Sequence, residues 1–188
     1  SMKTLDQRLQ ALAQFSPDRV AFAFHDEDED AAPEEWTFKQ LDERSSAVAA
    51  ALAARGIRRG RAILLFPSGL PFLAGFYGAM RAGLVAVPTY PPDPARLDRS
   101  LPRLLAIARD ASPAVVLTTE PLLALARSQA DRAPELLSLP WIAVDQLAQG
   151  EHLAPASVRP GDDAFLQYTS GSTASPKGVR ITHQNICA

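Results

Sequence analysis

One stretch of the chain concentrates the groups that could grip an anion. It reads Tyr168, Thr169, Ser170, Gly171, Ser172, Thr173, Ala174, Ser175, Pro176, Lys177, Gly178. Gly171 has no Cβ, so backbone N–H groups around it can approach a phosphate closely and the chain can take positive φ. Thr169, Ser170, Ser172 and Thr173 offer hydroxyl donors, and Lys177 offers a mobile positive charge for outer phosphates. Together they describe a phosphate cradle between two strand-like segments. It is not a Walker-type P-loop: Lys177 precedes Gly178 instead of following a glycine, and no helix follows at once to offer its N-terminus. A flexible Ser/Gly linker or a hairpin turn has much the same composition, so composition alone leaves both readings open.

Other polar residues carry weaker signals. His25 and His152 have no partner at ligand spacing and read as surface residues. The acidic run Asp26 to Asp30 suits the solvated tip of a hairpin better than a metal site. Trp36 and Trp141 read as core residues. Thr182 reads as the cap of a helix that begins at His183.

A cradle needs rigid elements on either side, and the sequence supplies them. Leu5, Leu9, Leu12 and Phe15 recur at helical spacing, ended by Pro17, and Val20, Phe22 and Phe24 alternate as a strand. Trp36 to Phe38 resumes extended structure, which predicts a hairpin. Thr37 with Gln40 is a capping box, opening a helix that runs to Arg55 with Gly56 placed for a left-handed cap. The buried strand 63–66, the helix 71–81 stopped by Gly83 and the strand 84–87 closed by Pro88 then predict a βαβ unit and a parallel sheet. Residues 90–94 are a proline-bearing loop. Leu101, Leu104, Leu105 and Ala108 make a helical face; residues 115–117 are a strand, 121–130 a helix and 141–144 a short strand. Residues 150–161 form a connection, 165–168 a strand, and 179–181 pair with it as a hairpin. The expected fold class is α/β, a parallel-rich sheet flanked by helices.

The bulk composition narrows the function classes. Of the 188 residues, 47% are apolar and 21% charged, which suits a globular chain with one sizeable core. A net charge of -2 argues against nucleic acid or anionic membrane as a partner. Cys187 is the lone cysteine, so no internal disulfide can form and a reducing compartment is expected. Residues 3–15 do not read as a secretory signal and no apolar run is long enough to span a bilayer, so the cytoplasm is the expected location. Ser1 before Met2 reads as a scar of tag removal and is set aside.

The order of residues in the cradle resembles the signature loop of the adenylate-forming superfamily, Thr-Ser-Gly-Ser-Thr-Gly-x-Pro-Lys-Gly. Residues 169–178 match it except at Ala174, where most members have glycine. The upstream order of elements agrees, and His183 with Thr182 and Asn185 follows the loop in a family-like way, so the resemblance covers nearly the whole chain. Within that superfamily, two features are similar to fatty acyl-AMP ligases. One is Ala174 with Ser175, preceded by Phe165, Leu166, Gln167 and Tyr168. The other is Tyr90, Pro91 and Pro92 followed by Arg96, Arg99, Arg103, Ile107, Asp110 and Ala111. Each arginine taken singly reads as part of a solvated helix face.

The resemblance implies a reaction, a site and a boundary. A fatty acid would attack the α-phosphate of ATP, giving acyl-adenylate and pyrophosphate, with magnesium riding on the phosphates. The acyl group would pass to an acyl carrier protein, or to a polyketide or peptide synthase. Thr169, Ser170, Gly171, Ser172, Thr173, Lys177 and Gly178 would bind the nucleotide, with Lys177 and Thr173 acting in catalysis. Residues 1–188 would be the N-terminal subdomain of the acyl-adenylate-forming fold, cut just after the phosphate loop and inactive in isolation. The alternatives are the same piece of an acyl-CoA synthetase or peptide-synthetase adenylation domain, or a stand-alone, non-catalytic domain that binds nucleotide or a partner protein.

Overall fold

In the computed structural model, which describes residues 3–25, 30–148, 161–168 and 178–183, two capping boxes open the first two helices. The Gln7 N–H donates to Thr4 Oγ1 and the Thr4 N–H donates back to Gln7 Oε1, starting α1 (Leu5–Phe15). A hairpin of β1 (Val20–Phe24) and β2 (Glu34–Thr37) follows and stands apart from the main sheet. Thr37 and Gln40 repeat the reciprocal cap (2.9 and 3.1 Å) at the head of α2 (Phe38–Ala54). Each box satisfies donors that a helix start would otherwise leave bare. Gly56, at φ 72°, turns the chain out of α2 in the left-handed conformation the sequence predicted.

The chain then runs β3 (Arg61–Leu65), α3 (Leu70–Arg81), β4 (Val85–Thr89), α4 (Leu97–Ala111), β5 (Val115–Thr118), α5 (Glu120–Ser128), α6 (Pro134–Leu137), β6 (Trp141–Ala143), β7 (Asp163–Tyr168) and β8 (Gly178–Thr182). The main sheet has the order β6-β5-β3-β4-β7-β8, parallel throughout except that β8 returns antiparallel beside β7. Alternation along each strand sends its side chains to two helical layers. Ala62 and Leu64 of β3 pack with Leu41, Val48 and Ala74 of α2 and α3. Ile63 and Leu65 pack with Leu101, Leu104 and Ile107 of α4 and Leu136 of α6. Trp36 is buried, as expected, whereas Trp141 is only partly so.

Two local details differ from the sequence reading. Pro88 does not close β4 but lies inside it, opposite Leu64 of β3. The Val85 N–H donates to Gly60 of the chain entering β3, so by alternation residue 88 faces the β7 side, where the pairing reaches only Ala86↔Phe165. A missing N–H there removes no ladder bond. Helix α6 was not foreseen; it is a single turn opened by Pro134.

Helices α2 and α3 meet at a glycine contact, since a Cβ on Gly78 would lie 2.5 Å from Val48 Cβ. Close by, Arg81 is 1% exposed and joins three helices. Its Nε and Nη2 donate to the Asp6 carboxylate at 2.9–3.1 Å, Nη2 donates to Asp42 Oδ1 at 2.7 Å, and Nη1 donates to Ser46 Oγ at 2.6 Å and the Asp42 carbonyl at 3.2 Å. Burial acts to lower the guanidinium pKa, but the Asp6 and Asp42 carboxylates outweigh it and hold the group above its ordinary value. The positive charge is therefore kept inside the fold by its two acidic partners.

Candidate active site

Strands β3, β4, β5 and β7 all run the same way, so their C-terminal ends share one edge of the sheet. Open α/β sheets bind ligands outside that edge, where loops leave the strands for the helices. The hydroxyls at the strand ends are turned back into the frame. Thr118 Oγ1 donates to the Leu65 carbonyl (2.7 Å), and Thr89 Oγ1 donates to the Leu64 carbonyl (2.9 Å). The edge is thus stiffened by cross-strand hydroxyl bonds, while Tyr90 stands 88% exposed just beyond β4.

The glycine- and hydroxyl-rich segment springs from this edge. Its stem is the antiparallel pair β7–β8, closed by Tyr168↔Gly178. On one face of β7, Phe165 meets Phe76 of α3 edge-on, with ring centroids 5.7 Å apart. On the other face, Leu166 and Tyr168 pack in the layer of α4. Thr169, Ser170, Gly171, Ser172, Thr173 and Lys177 lie outside the described residues. Gly178 is described and opens β8, with a residue type that leaves room for the Tyr168 ring: a Cβ there would lie 3.1 Å from Tyr168 Cζ.

The structure also joins two segments that the sequence reading singled out separately. The Tyr168 phenol donates to Asp110 Oδ2 at 2.6 Å, linking the strand before the loop to the last turn of α4. Burial first, and then the Asp110 hydrogen bond and charge, push the phenol up to about 12, so it stays a donor at neutral pH. No spacing rule announces this bond across 58 residues; the paired segments were visible only as family-like features. Arg96 and Arg99 are exposed, as a solvated helix face requires, whereas Arg103 is only partly so.

His183 follows β8, with its N–H donating to the Asp162 carbonyl at 3.1 Å. Its ring is buried, and Nδ1 has no hydrogen-bond partner among the described residues. Burial pushes the imidazole below its usual value, against weaker opposition from Asp162 and Asp6. The unfolded chain therefore binds a proton that the folded chain refuses. This ring leaves stability unchanged above about pH 6.5 and gives it a downward slope as the pH drops from there toward the lowered folded-state value, below which the slope ends. Urea midpoints between neutral and acid pH should show this slope, and His183→Gln should remove it; equal slopes would show the ring titrates normally. His25 is exposed, as expected, while His152, Asn185, Cys187 and residues 26–29 lie outside the described residues.

Among the described residues no group of three or more His, Cys, Asp or Glu stands together to hold a metal ion. They provide no protein cage for magnesium, which prefers one or two carboxylates together with substrate phosphates. No helix among the described residues is long and apolar enough to cross a membrane.

Comparison with known proteins agrees with this architecture. The family model described as AMP-binding enzyme matches residues 9–188. The medium-chain-fatty-acid–[acyl-carrier-protein] ligase JamA of Moorena producens is 39% identical over 186 residues, covering 97% of this chain and 31% of JamA. The long-chain-fatty-acid–AMP ligase FadD23 of Mycobacterium tuberculosis is 36% identical over 192 residues, covering 98% of this chain and 32% of FadD23. The crystal structure of the fatty acyl-adenylate ligase from L. pneumophila, in complex with acyl adenylate and pyrophosphate, superposes with a TM-score of 0.83 at 34% identity. That match covers 99% of this chain and 32% of the ligase. The chain spans about a third of the length of the curated relatives it matches.

Proposed function

Since the chain belongs to the AMP-binding enzyme family, we propose that it is the phosphate-holding N-terminal subdomain of a fatty acyl-AMP ligase. The observation that carries this reading is the stem of the loop. A segment matching the adenylate-forming signature leaves the C-terminal edge of a parallel sheet from the closing pair Tyr168↔Gly178, where anionic ligands bind in such folds.

In the proposed reaction a carboxylate oxygen of the fatty acid attacks the α-phosphorus of ATP. The bond from that phosphorus to the bridging oxygen breaks, and the electron pair leaves with pyrophosphate. Thr169, Ser170, Gly171, Ser172 and Gly178 hold the β- and γ-phosphates through backbone N–H and hydroxyl donors. Thr173 and Lys177 act where charge grows on the departing pyrophosphate, which makes their contribution larger in the transition state than in the ground state. A magnesium ion would enter on the phosphates and offset part of their charge. The acyl-adenylate then serves an acyl carrier protein or a synthase that bears one, in the cytoplasm. JamA, named for transfer to acyl carrier protein, supports that acceptor.

Mass spectrometry of the products formed by the full-length protein from ATP, magnesium and a medium-chain fatty acid tests the reading. Acyl-AMP should accumulate and should survive addition of CoA. Appearance of acyl-CoA would assign the chain to a CoA ligase, and no adenylate with any fatty acid would leave a nucleotide- or partner-binding role instead.

A further inference from the structure

We propose that Asp110 and Tyr168 form a clasp that sets the stem of the phosphate loop, with Tyr168 a positioning residue for the nucleotide; the inference rests on the function proposed above. Tyr168 is the last residue of β7 and faces Gly178, the first of β8. Its ring crosses Gly178 so closely that a Cβ there would lie 3.1 Å from Cζ and 3.2 Å from Oη. An aromatic ring laid over a glycine in the neighbouring strand pins the register of the pair. Its far end is held as well, by the 2.6 Å bond to Asp110, in the range of strong O–H···O⁻ bonds.

The acceptor is itself fixed. Asp110 is an exposed residue in the last turn of α4; Ala111 beside it is bonded to β3, and Arg109 on its other side makes a solvent-exposed pair. The Ala111 carbonyl accepts from Arg61 Nη1 of β3 at 3.0 Å, and Arg109 Nε donates to Glu135 of α6 at 3.2 Å. The line from β3 through α4 to Tyr168 thus ends at the point where residues 169–177 begin and end. Side chains that must meet a pyrophosphate within about half an ångström need such support, because loop residues hold their geometry less well than strands and helices do. The clasp also explains why a tyrosine stands where a phenylalanine would pack equally well over Gly178.

Steady-state adenylation by the full-length protein separates positioning from packing. Tyr168→Phe keeps the ring over Gly178 and removes only the hydroxyl; Asp110→Ala removes the acceptor; Asp110→Asn keeps an acceptor oxygen. Tyr168→Phe and Asp110→Ala should each raise the KM for ATP about tenfold, the worth of one hydrogen bond to a charged group, with the KM for fatty acid unchanged. The double variant should be no worse than either single one, since both remove one interaction, and Asp110→Asn should recover most of the loss. Either single variant within about twofold of wild type, or losses that multiply in the double, would overturn the clasp. Should the wild type make no adenylate, the function proposed above fails. The clasp is then decided by amide hydrogen exchange. Faster exchange confined to residues 163–182 in Tyr168→Phe upholds the fixed stem, and unchanged exchange removes it.

Discussion

Alanine at position 81 will lower the stability of the fold by about 3–5 kcal/mol, the usual result of removing one partner from a buried ion pair. Arg81 is almost fully enclosed and its guanidinium is shared by Asp6 of α1 and by Asp42 and Ser46 of α2. The substitution takes the guanidinium away from the Asp6 carboxylate, 4% exposed as a residue, which keeps the Gln10 amide as a side-chain donor (2.9 Å). A carboxylate stranded out of water costs more than the lost pairing alone. For a chain of this size the loss corresponds to a fall of roughly 10 °C in melting temperature. The control is an apolar set, Arg81→Met with Asp6→Leu and Asp42→Leu, which removes all the charges together. That set should recover most of the loss, because apolar replacement of a whole buried pair is often neutral or better. Urea denaturation gives both numbers. A single variant less than about 1 kcal/mol below wild type would show that water reaches the pocket and screens the charges.

Lys177→Ala in the full-length protein will cut the rate of adenylate formation by about 10²–10³-fold, the scale set by removing one group aimed at developing charge. Lys177 is the only cation in the segment 169–178, whose other contributors to an anion are neutral hydroxyls and peptide N–H groups. Its loss should therefore fall mostly on kcat and on the KM for ATP, leaving the KM for fatty acid alone. Arginine at 177 keeps the charge but spreads it over a planar fork, so it should restore only part of the rate. Thr173→Ala, which deletes a neutral donor, should cost less than the lysine. Pyrophosphate exchange measures these rates directly; a rate for Lys177→Ala within a few-fold of wild type would move the catalytic cation elsewhere.

The fold was legible wherever the signal was local. The Thr37–Gln40 box, the turn at Gly56 and the strand–helix–strand run from β3 to β4 each depend on residues a few positions apart, and each is found in the structure. The equivalent box at Thr4 and Gln7 carries the same signature and could have been read the same way. What the sequence did not disclose was long-range. Asp6 and Arg81 are 75 positions apart, and nothing in either segment marks it as half of a buried pair. The insertion of β7 beside β4, after an intervening run through β5 and β6, is likewise a matter of global packing. The candidate site divides along the same line. The chemistry of residues 169–178 could be read from their order, whereas the support from Asp110 required the fold. Pro88 misled because proline excludes a central strand only when its N–H side is paired, and pairing is invisible in one dimension.

Among the described residues the two margins of the main sheet are unequal. At one margin stands β6, only three residues long and curled at once into a 3-10 turn, too short to recruit another chain. At the other stands β8, five residues long, with Gly178, Val179 and Arg180 exposed and Val179 half bare. Its outer row of peptide groups has no strand beside it among the described residues, and an open row of that kind templates the addition of a foreign strand. Arg180, anchored to Asp163 at 2.8 Å, sets a charge in the middle of that row, the customary deterrent to strand-by-strand growth. Among the described residues, the margin that carries the stem of the phosphate loop is thus the more open of the two, with the Arg180 charge in its middle.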